Sequence, residues 1–314
     1  MNNKFDFEQV NLVPRKCVVD SRSECDTSVK FGNFTFKMPI VPANMECVID
    51  ENVAIKLAKA GYFYIIHRFN VNPILFILQM KNLGLVSSIS LGVNEDSYKI
   101  VDEMKSTGMS PDFITIDIAH GHSIKMEKMI KYIKENLPTT FVIAGNVSTS
   151  EAIMDLEEWG ADATKVGIGP GMACTTWPTT GFGSRNCQAA TIHNCSLVAT
   201  KPIIADGGIR VPGDIAKSLV LGATMVMVGG MLSGFKDSPG HLVSVDGKEK
   251  KEFWGSASKF QSGKSNRIEG TKILVDYKDR SILDEMKYLE ECLQSSISYG
   301  GGTDISCFSK VKWI

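Results

Sequence analysis

The sequence predicts an α/β protein built as a (β/α)8 TIM barrel, on three observations. Eight short β-rich apolar runs alternate with segments of helical periodicity. Runs such as FYII and MVMV are apolar throughout, as suits parallel strands buried on both faces. The 314 residues hold one barrel of about 250 residues plus extensions, or two domains of roughly 150. No linker or low-complexity stretch divides the chain, so residues 1–314 read as a single catalytic domain. A doubly wound sheet is the rival arrangement of the same elements.

Residues 1–37 form an N-terminal extension before the first strand. Strands are expected at 38–45, 62–69, 85–92, 113–120, 140–147, 163–169, 201–208 and 223–230. Asp50 and Gly61 bracket a helix after the first of these. Residues 123–137 set Met126, Met129, Ile130, Ile133 and Leu137 on one helical face, with lysines and glutamates opposite. Ser148 and Glu151 make an S-x-x-E capping box, and Gly160 can close that helix in the left-handed conformation. Pro212 and Gly222 bracket another helix, with Ile215, Ala216, Leu219 and Val220 inward. Residues 232–280, polar and rich in Gly, Ser and Lys, read as a long loop or flap before a final helix near 282–293.

Composition narrows the function classes. With 43% hydrophobic and 22% charged residues the chain is neither disordered nor unusually charged. Its net charge of -1, from 34 basic and 35 acidic residues, argues against a nucleic-acid partner. No apolar run approaches the roughly 18 residues of a membrane span. The start, MNNKFDFEQV, lacks signal-peptide regions, and the eight cysteines form no CxxC pair, so a cytoplasmic protein with reduced thiols is expected. The sequons at Asn33, Asn146 and Asn194 then read as chance matches.

Barrel active sites lie at the C-terminal strand ends. Here those ends carry Asn44, His67 with Arg68, Asp117 with His120, Asn146 and Asp206, together with glycines. Strands commonly end in turn residues, but these polar ends gather on one expected face. The segment GIGPGMACTTW, residues 167–177, is a glycine-rich loop with little to shield its backbone. Cys174, followed by Thr175 and Thr176, is therefore a candidate nucleophile. Cys17, Cys47, Cys187, Cys195 and Cys292 read as buried and inert. After the last two strands, IIADGGIR and MVGGML place Gly207, Gly208, Gly229 and Gly230 where barrels bind phosphate. Asp206 could accept both hydroxyls of a ribose, so a ribose monophosphate is a plausible ligand. No GxGxxG opens a helix after a strand, SGKS at 262–265 lacks the earlier glycine of a phosphate loop, and no HExxH or zinc-type spacing occurs.

Together these residues resemble the IMP dehydrogenase/GMP reductase family over nearly the whole chain. The carriers are SRSECD, PANM, IHRF, DIAHGHS, AGNV, KVGIGPGMACTT, IADGGIR, MVGGML, FWGSAS and IEG. Within the family the chain is similar to the bacterial-type reductase branch. Only about fifteen residues separate the second and third strands, where dehydrogenases usually insert CBS repeats, and no Arg-Tyr pair exists to activate water. Glu269 stands at the position matching the reductase glutamate.

The resemblance implies NADPH-dependent reductive deamination of GMP to IMP and ammonia. It implies Cys174 as the covalent nucleophile, with Thr176 and Glu269 handling the proton. Met172, Asp206, Gly207, Gly208, Gly229, Gly230, Gly255 and Ser256 would bind the nucleotide, and Arg68 and Asp117 would face the cofactor. Backbone carbonyls of Gly169, Gly171 and Cys174 would hold a monovalent cation, K+ for instance, and the assembly would be a homotetramer. Trp177 departs from animal-type members, which have Arg there, and Arg267 lies two residues before Glu269 rather than three. The competing readings are an IMP dehydrogenase lacking CBS domains, a non-catalytic nucleotide-binding barrel and a flavin oxidoreductase.

Overall fold

The structure, a computed structural model, describes residues 4–263 and 268–314. Arg267 and the last two residues of the SGKS stretch lie outside the described residues. A hairpin comes first, β1 (Val29–Phe31) and β2 (Phe34–Phe36). Seven parallel strands follow: β3 (Ile40–Pro42), β4 (Ser88–Leu91), β5 (Phe113–Asp117), β6 (Phe141–Val147), β7 (Ala163–Val166), β8 (Ile203–Asp206) and β9 (Met225–Val228). They form one sheet in the order β3-β9-β8-β7-β6-β5-β4, so the first strand pairs with the last. Seven of the eight expected strands are thus present.

The expected strand at 62–69 is the exception and corrects the sequence reading. Its residues Tyr62 to Ile66 are buried, but they join no ladder. The Tyr64 hydroxyl donates to the Val86 carbonyl at 2.8 Å and accepts the Ser88 N–H at 3.2 Å, occupying backbone groups a ladder would use. The Ser90 hydroxyl takes the Ile66 carbonyl at 2.7 Å. A single backbone bond to β4, Ile66 N–H to the Ser88 carbonyl at 3.3 Å, remains among the described residues.

The sheet curls about a shared interior. Val41, Phe63, Ile65, Phe113, Ile143, Ala163, Ile204, Met225 and Met227 meet in one apolar cluster with Val29, Phe31 and Phe36 of the hairpin. Phe31 stacks on Phe113, with centroids 5.7 Å apart. Phe113 and Ala163 open their strands, so the hairpin plugs the N-terminal end and leaves the C-terminal ends for chemistry. Burying one such ring contributes about 1.5–3 kcal/mol.

Helices pack outside: α1 (Glu51–Lys59), α2 (Pro73–Asn82), α3 (Glu95–Thr107), α4 (Ile124–Asn136), α5 (Ser150–Glu158), α7 (Gln188–Ser196) and α8 (Pro212–Val220), while the five-residue α6 (Thr176–Thr180) belongs to the segment after β7. Asp50 caps α1 through the Val53 N–H, and Ser123 caps α4 through the Met126 N–H. On α5 the cap is Thr149, which bonds the Ala152 N–H, not Ser148. On α8 Ile215 and Ala216 are buried, whereas Leu219 and Val220 are only half-buried.

The expected flap is more ordered than a loop. It holds an antiparallel sheet of β10 (Leu242–Val245), β11 (Lys248–Trp254) and β12 (Lys272–Asp276), with the short α9 (Lys259–Ser262) between the last two strands. Asp246 and Gly247, both at positive φ, turn β10 into β11 as a two-residue hairpin. The final helix α10 (Ile282–Tyr299) outruns its expected end because Leu289, Leu293 and Ile297 continue the buried face through a serine-rich stretch. No helix among the described residues is long and apolar enough to cross a membrane.

Candidate active site

The loop after β7 presents Cys174 at the C-terminal strand ends, and the flap meets it there. Cys174 and Gly270 pair as an isolated antiparallel bridge, the Thr175 N–H donates to the Glu269 carbonyl at 3.1 Å, and the Thr271 N–H donates to the Ala173 carbonyl at 2.9 Å. A Cβ on Gly255 would stand 2.9 Å from the Ala173 oxygen, so this approach requires glycine. The pairing sets three side chains in line. The Cys174 thiol donates to Thr176 Oγ1 at 3.2 Å, and that hydroxyl donates to Glu269 Oε2 at 2.8 Å. A proton can therefore pass between sulfur and carboxylate through one hydroxyl.

Some of the nucleotide-side residues expected from sequence lie against the same loop. A Cβ on Gly207, at φ +89°, would lie 2.9 Å from Pro170 Cγ, and one on Gly230 would lie 3.1 Å from Met172 Cε. Gly208 faces Gln188 and Phe7 instead, while Gly229 lies against Ala43. Ser256 is half-buried beside Gly255. The Gly171 carbonyl accepts the Cys174 N–H at 3.1 Å, which leaves it a second lone pair, and Gly169 lies against Trp177.

Asp206 and Asp117 are joined by a residue the sequence reading passed over. Lys165 Nζ lies 2.7 Å from Asp206 Oδ2 and 2.8 Å from Asp117 Oδ1, with its side chain 3% exposed. Asn146 Nδ2 adds a 2.7 Å bond to the same Asp206 oxygen, while its own Oδ1 is buried without a partner. Burial disfavours the charge on Asp117, but the Lys165 ammonium outweighs it and holds the carboxyl below its ordinary range. Burial opposes the Lys165 charge too, and the two carboxylates raise its pKa regardless. A lysine inside the strand expected at 163–169 was the available signal.

Arg68 is exposed, with its guanidinium over the Phe69 ring at 4.8 Å. It borders a cleft of about 210 Å³ together with Ser90, Gly92 and Asn94. A larger cleft of about 520 Å³ lies beside it, between Glu46, His67 and Asn70 on one side and Trp254, Phe260 and Gln261 of the flap on the other. Neither cleft is lined by Cys174. His67 is buried, which lowers its pKa. Burial pushes the Cys47 and Cys195 thiols up to about 12, as expected of inert cysteines. Three others differ from their expected burial: Cys187 and Cys292 are half-buried, and Cys17 is exposed, where a bond with Ser298 lowers its pKa.

A family profile described as "IMP dehydrogenase / GMP reductase domain" matches residues 4–313. The chain is 53% identical over 315 residues to a protein named GMP reductase from Lysinibacillus sphaericus (strain C3-41), covering 100% of this chain and 96% of that one. It is likewise 53% identical to one so named from Lactococcus lactis subsp. cremoris (strain SK11), covering 100% and 95%. A third, from Albidiferax ferrireducens, is 52% identical over 310 residues, covering 99% and 95%.

Proposed function

The chain belongs to the IMP dehydrogenase/GMP reductase family, and on that premise we propose that it is a GMP reductase, converting GMP to IMP and ammonia with NADPH. The observation that carries this reading is the hydrogen-bonded line Cys174–Thr176–Glu269, whose last two members stand 93 residues apart in sequence. The line supports a division of labour. Cys174 gives up its proton through Thr176 to Glu269, and the thiolate adds to C2 of the guanine ring. Glu269, now protonated, returns that proton through Thr176 to the amino group on C2. The C2–N bond breaks, ammonia leaves, and the ring stays bound to sulfur as a thioimidate. NADPH, when bound, supplies a hydride to C2. The C–S bond then breaks with its electron pair on sulfur, IMP departs, and the Cys174 thiolate takes up one proton from solvent to restore the thiol.

Asp206 anchors the ribose, while Gly207, Gly208, Gly229 and Gly230 offer backbone N–H groups to the phosphate. Met172, Gly255 and Ser256 complete the nucleotide site. Arg68, at its cleft, and Asp117 fit the cofactor side: an exposed cation and a carboxylate held ionised by Lys165. The carbonyls of Gly169, Gly171 and Cys174 suit a monovalent cation such as K+. We further assign residues 1–314 to one closed (β/α)8 domain with the 62–66 run completing the ring, the flap at about 232–280, a cytoplasmic setting and a homotetramer.

Mass spectrometry of enzyme quenched during turnover tests the covalent step. A purine-nucleotide adduct on the peptide holding Cys174 supports it, and an adduct confined to another cysteine overturns it.

A further inference from the structure

Glu46 lies in the turn after β3, outside every residue assigned above to substrate, cofactor or proton transfer. Its carboxylate is half-buried at the edge of the larger cleft and holds two primary amides at once. Oε2 accepts Gln261 Nε2 at 2.7 Å, and Oε1 accepts Asn70 Nδ2 at 3.1 Å. Gln261 is spent at its other end, where Oε1 accepts the Trp254 indole N–H at 2.7 Å. A bonded chain therefore runs from Asn70, two residues past Arg68, through Glu46 to the flap residues Gln261 and Trp254. Cys47 strengthens the same junction, exchanging 3.4 Å contacts with the Trp254 backbone N–H and carbonyl.

The flap end of this chain leads to the proton relay. The Gln261 N–H is held at 3.1 Å by the Ser258 hydroxyl, Ser258 bridges Ile268 and Gly270, and Glu269 lies between those two. We propose that Glu46 is a positioning residue, a latch that pins the flap through Gln261 and so keeps Glu269 against Thr176 while tying the flap to the Arg68 loop. Facing two amide donors, a carboxylate accepts at each of its oxygens, whereas a glutamine in its place turns an N–H toward one of them. The latch rests on the reductase reading for its effect on rate, but not for its effect on the flap.

The test uses the bonding logic of the pair. Glu46→Gln sets an amide N–H group against the donor end of Gln261 or of Asn70. Gln261→Glu sets two carboxylates face to face. The reciprocal exchange, Glu46→Gln with Gln261→Glu, can restore all three bonds: the new amide accepts from Asn70 and donates to the new carboxylate, which also accepts from Trp254. Each single variant is expected to lose about tenfold in kcat, equivalent to about 1.4 kcal/mol, and to speed amide hydrogen exchange in residues 255–263 and 268–276. The exchange variant is expected to recover to within about threefold of wild type. Wild-type rates and exchange in Glu46→Gln, or a double variant as impaired as the worse single, would overturn the latch. If the wild type shows no GMP-dependent NADPH oxidation, the reductase reading fails, and hydrogen exchange alone decides the latch.

Discussion

Thr176 donates its hydroxyl proton to Glu269 Oε2 across 2.8 Å, joining the loop after β7 to the flap. With the Cys174 thiol 3.2 Å away on the other side, one hydroxyl links thiol and carboxylate in this line. Glu269→Gln keeps the size but loses the proton acceptor. Deamination is expected to fall about 10²–10⁴-fold, with the thermal midpoint changed by no more than a few degrees. Thr176→Val should lose rate comparably. A steady-state kcat for Glu269→Gln within threefold of wild type would remove the relay from the account.

Cys174→Ala is expected to fold and bind GMP without turnover. Isothermal titration with GMP reports the first property and NADPH oxidation the second. Changes at Cys195, whose thiol is held high by burial, should affect stability rather than chemistry. Measurable turnover in Cys174→Ala would mean that another group is the nucleophile.

The Lys165 bridge carries a pH signature. The folded pKa of Asp117 is depressed, so its contribution is complete above the unfolded carboxyl value of about 3.9 and is lost as pH falls through the lower folded value. Lys165 is shifted upward, so its contribution is complete below about 10.4 and is lost as pH rises through the folded value. Wild-type stability from this bridge should therefore hold across about pH 4–10. Lys165→Met leaves two uncompensated carboxylates and should cost about 3–5 kcal/mol at pH 7. Urea unfolding should show that deficit shrinking toward pH 5, as the stranded carboxyls take up protons. A deficit constant with pH would contradict the electrostatic origin. Asp206→Ala should weaken GMP binding and also lower stability, because it strips Lys165 of one partner.

Tyr64→Phe tests the strand that did not form. Losing the hydroxyl leaves the Val86 carbonyl and the Ser88 N–H without their shared partner. A loss of about 1–3 kcal/mol is expected in chemical denaturation. No loss would show that backbone pairing can take over there.

Much of this was legible in the residues. Short β-rich runs ending in polar residues or glycine marked β3 through β9, and the glycine-rich loop marked the place where the Cys174 thiol meets Thr176 and Glu269. What periodicity could not show was side-chain hydrogen bonding across the chain. Tyr64 reads as a good strand residue, yet its hydroxyl displaces the ladder it would join. Lys165 sits inside a buried strand, and only the fold reveals the two carboxylates that neutralise it. The flap reads as a loop because β10 is only four residues long and β11 opens on the charged run KEKKE, although Asp246-Gly247 was a readable hairpin turn. Glu46 and Gln261, 215 residues apart, had no local signal at all.

The most direct measurement of the central claim is the purified protein mixed with GMP and NADPH, following absorbance at 340 nm, the reduced nicotinamide band, and ammonia in parallel. The account predicts NADPH oxidised, ammonia released and IMP formed in equal amounts over many turnovers. Steady conversion of IMP and NAD to XMP, with GMP and NADPH left untouched, would contradict it.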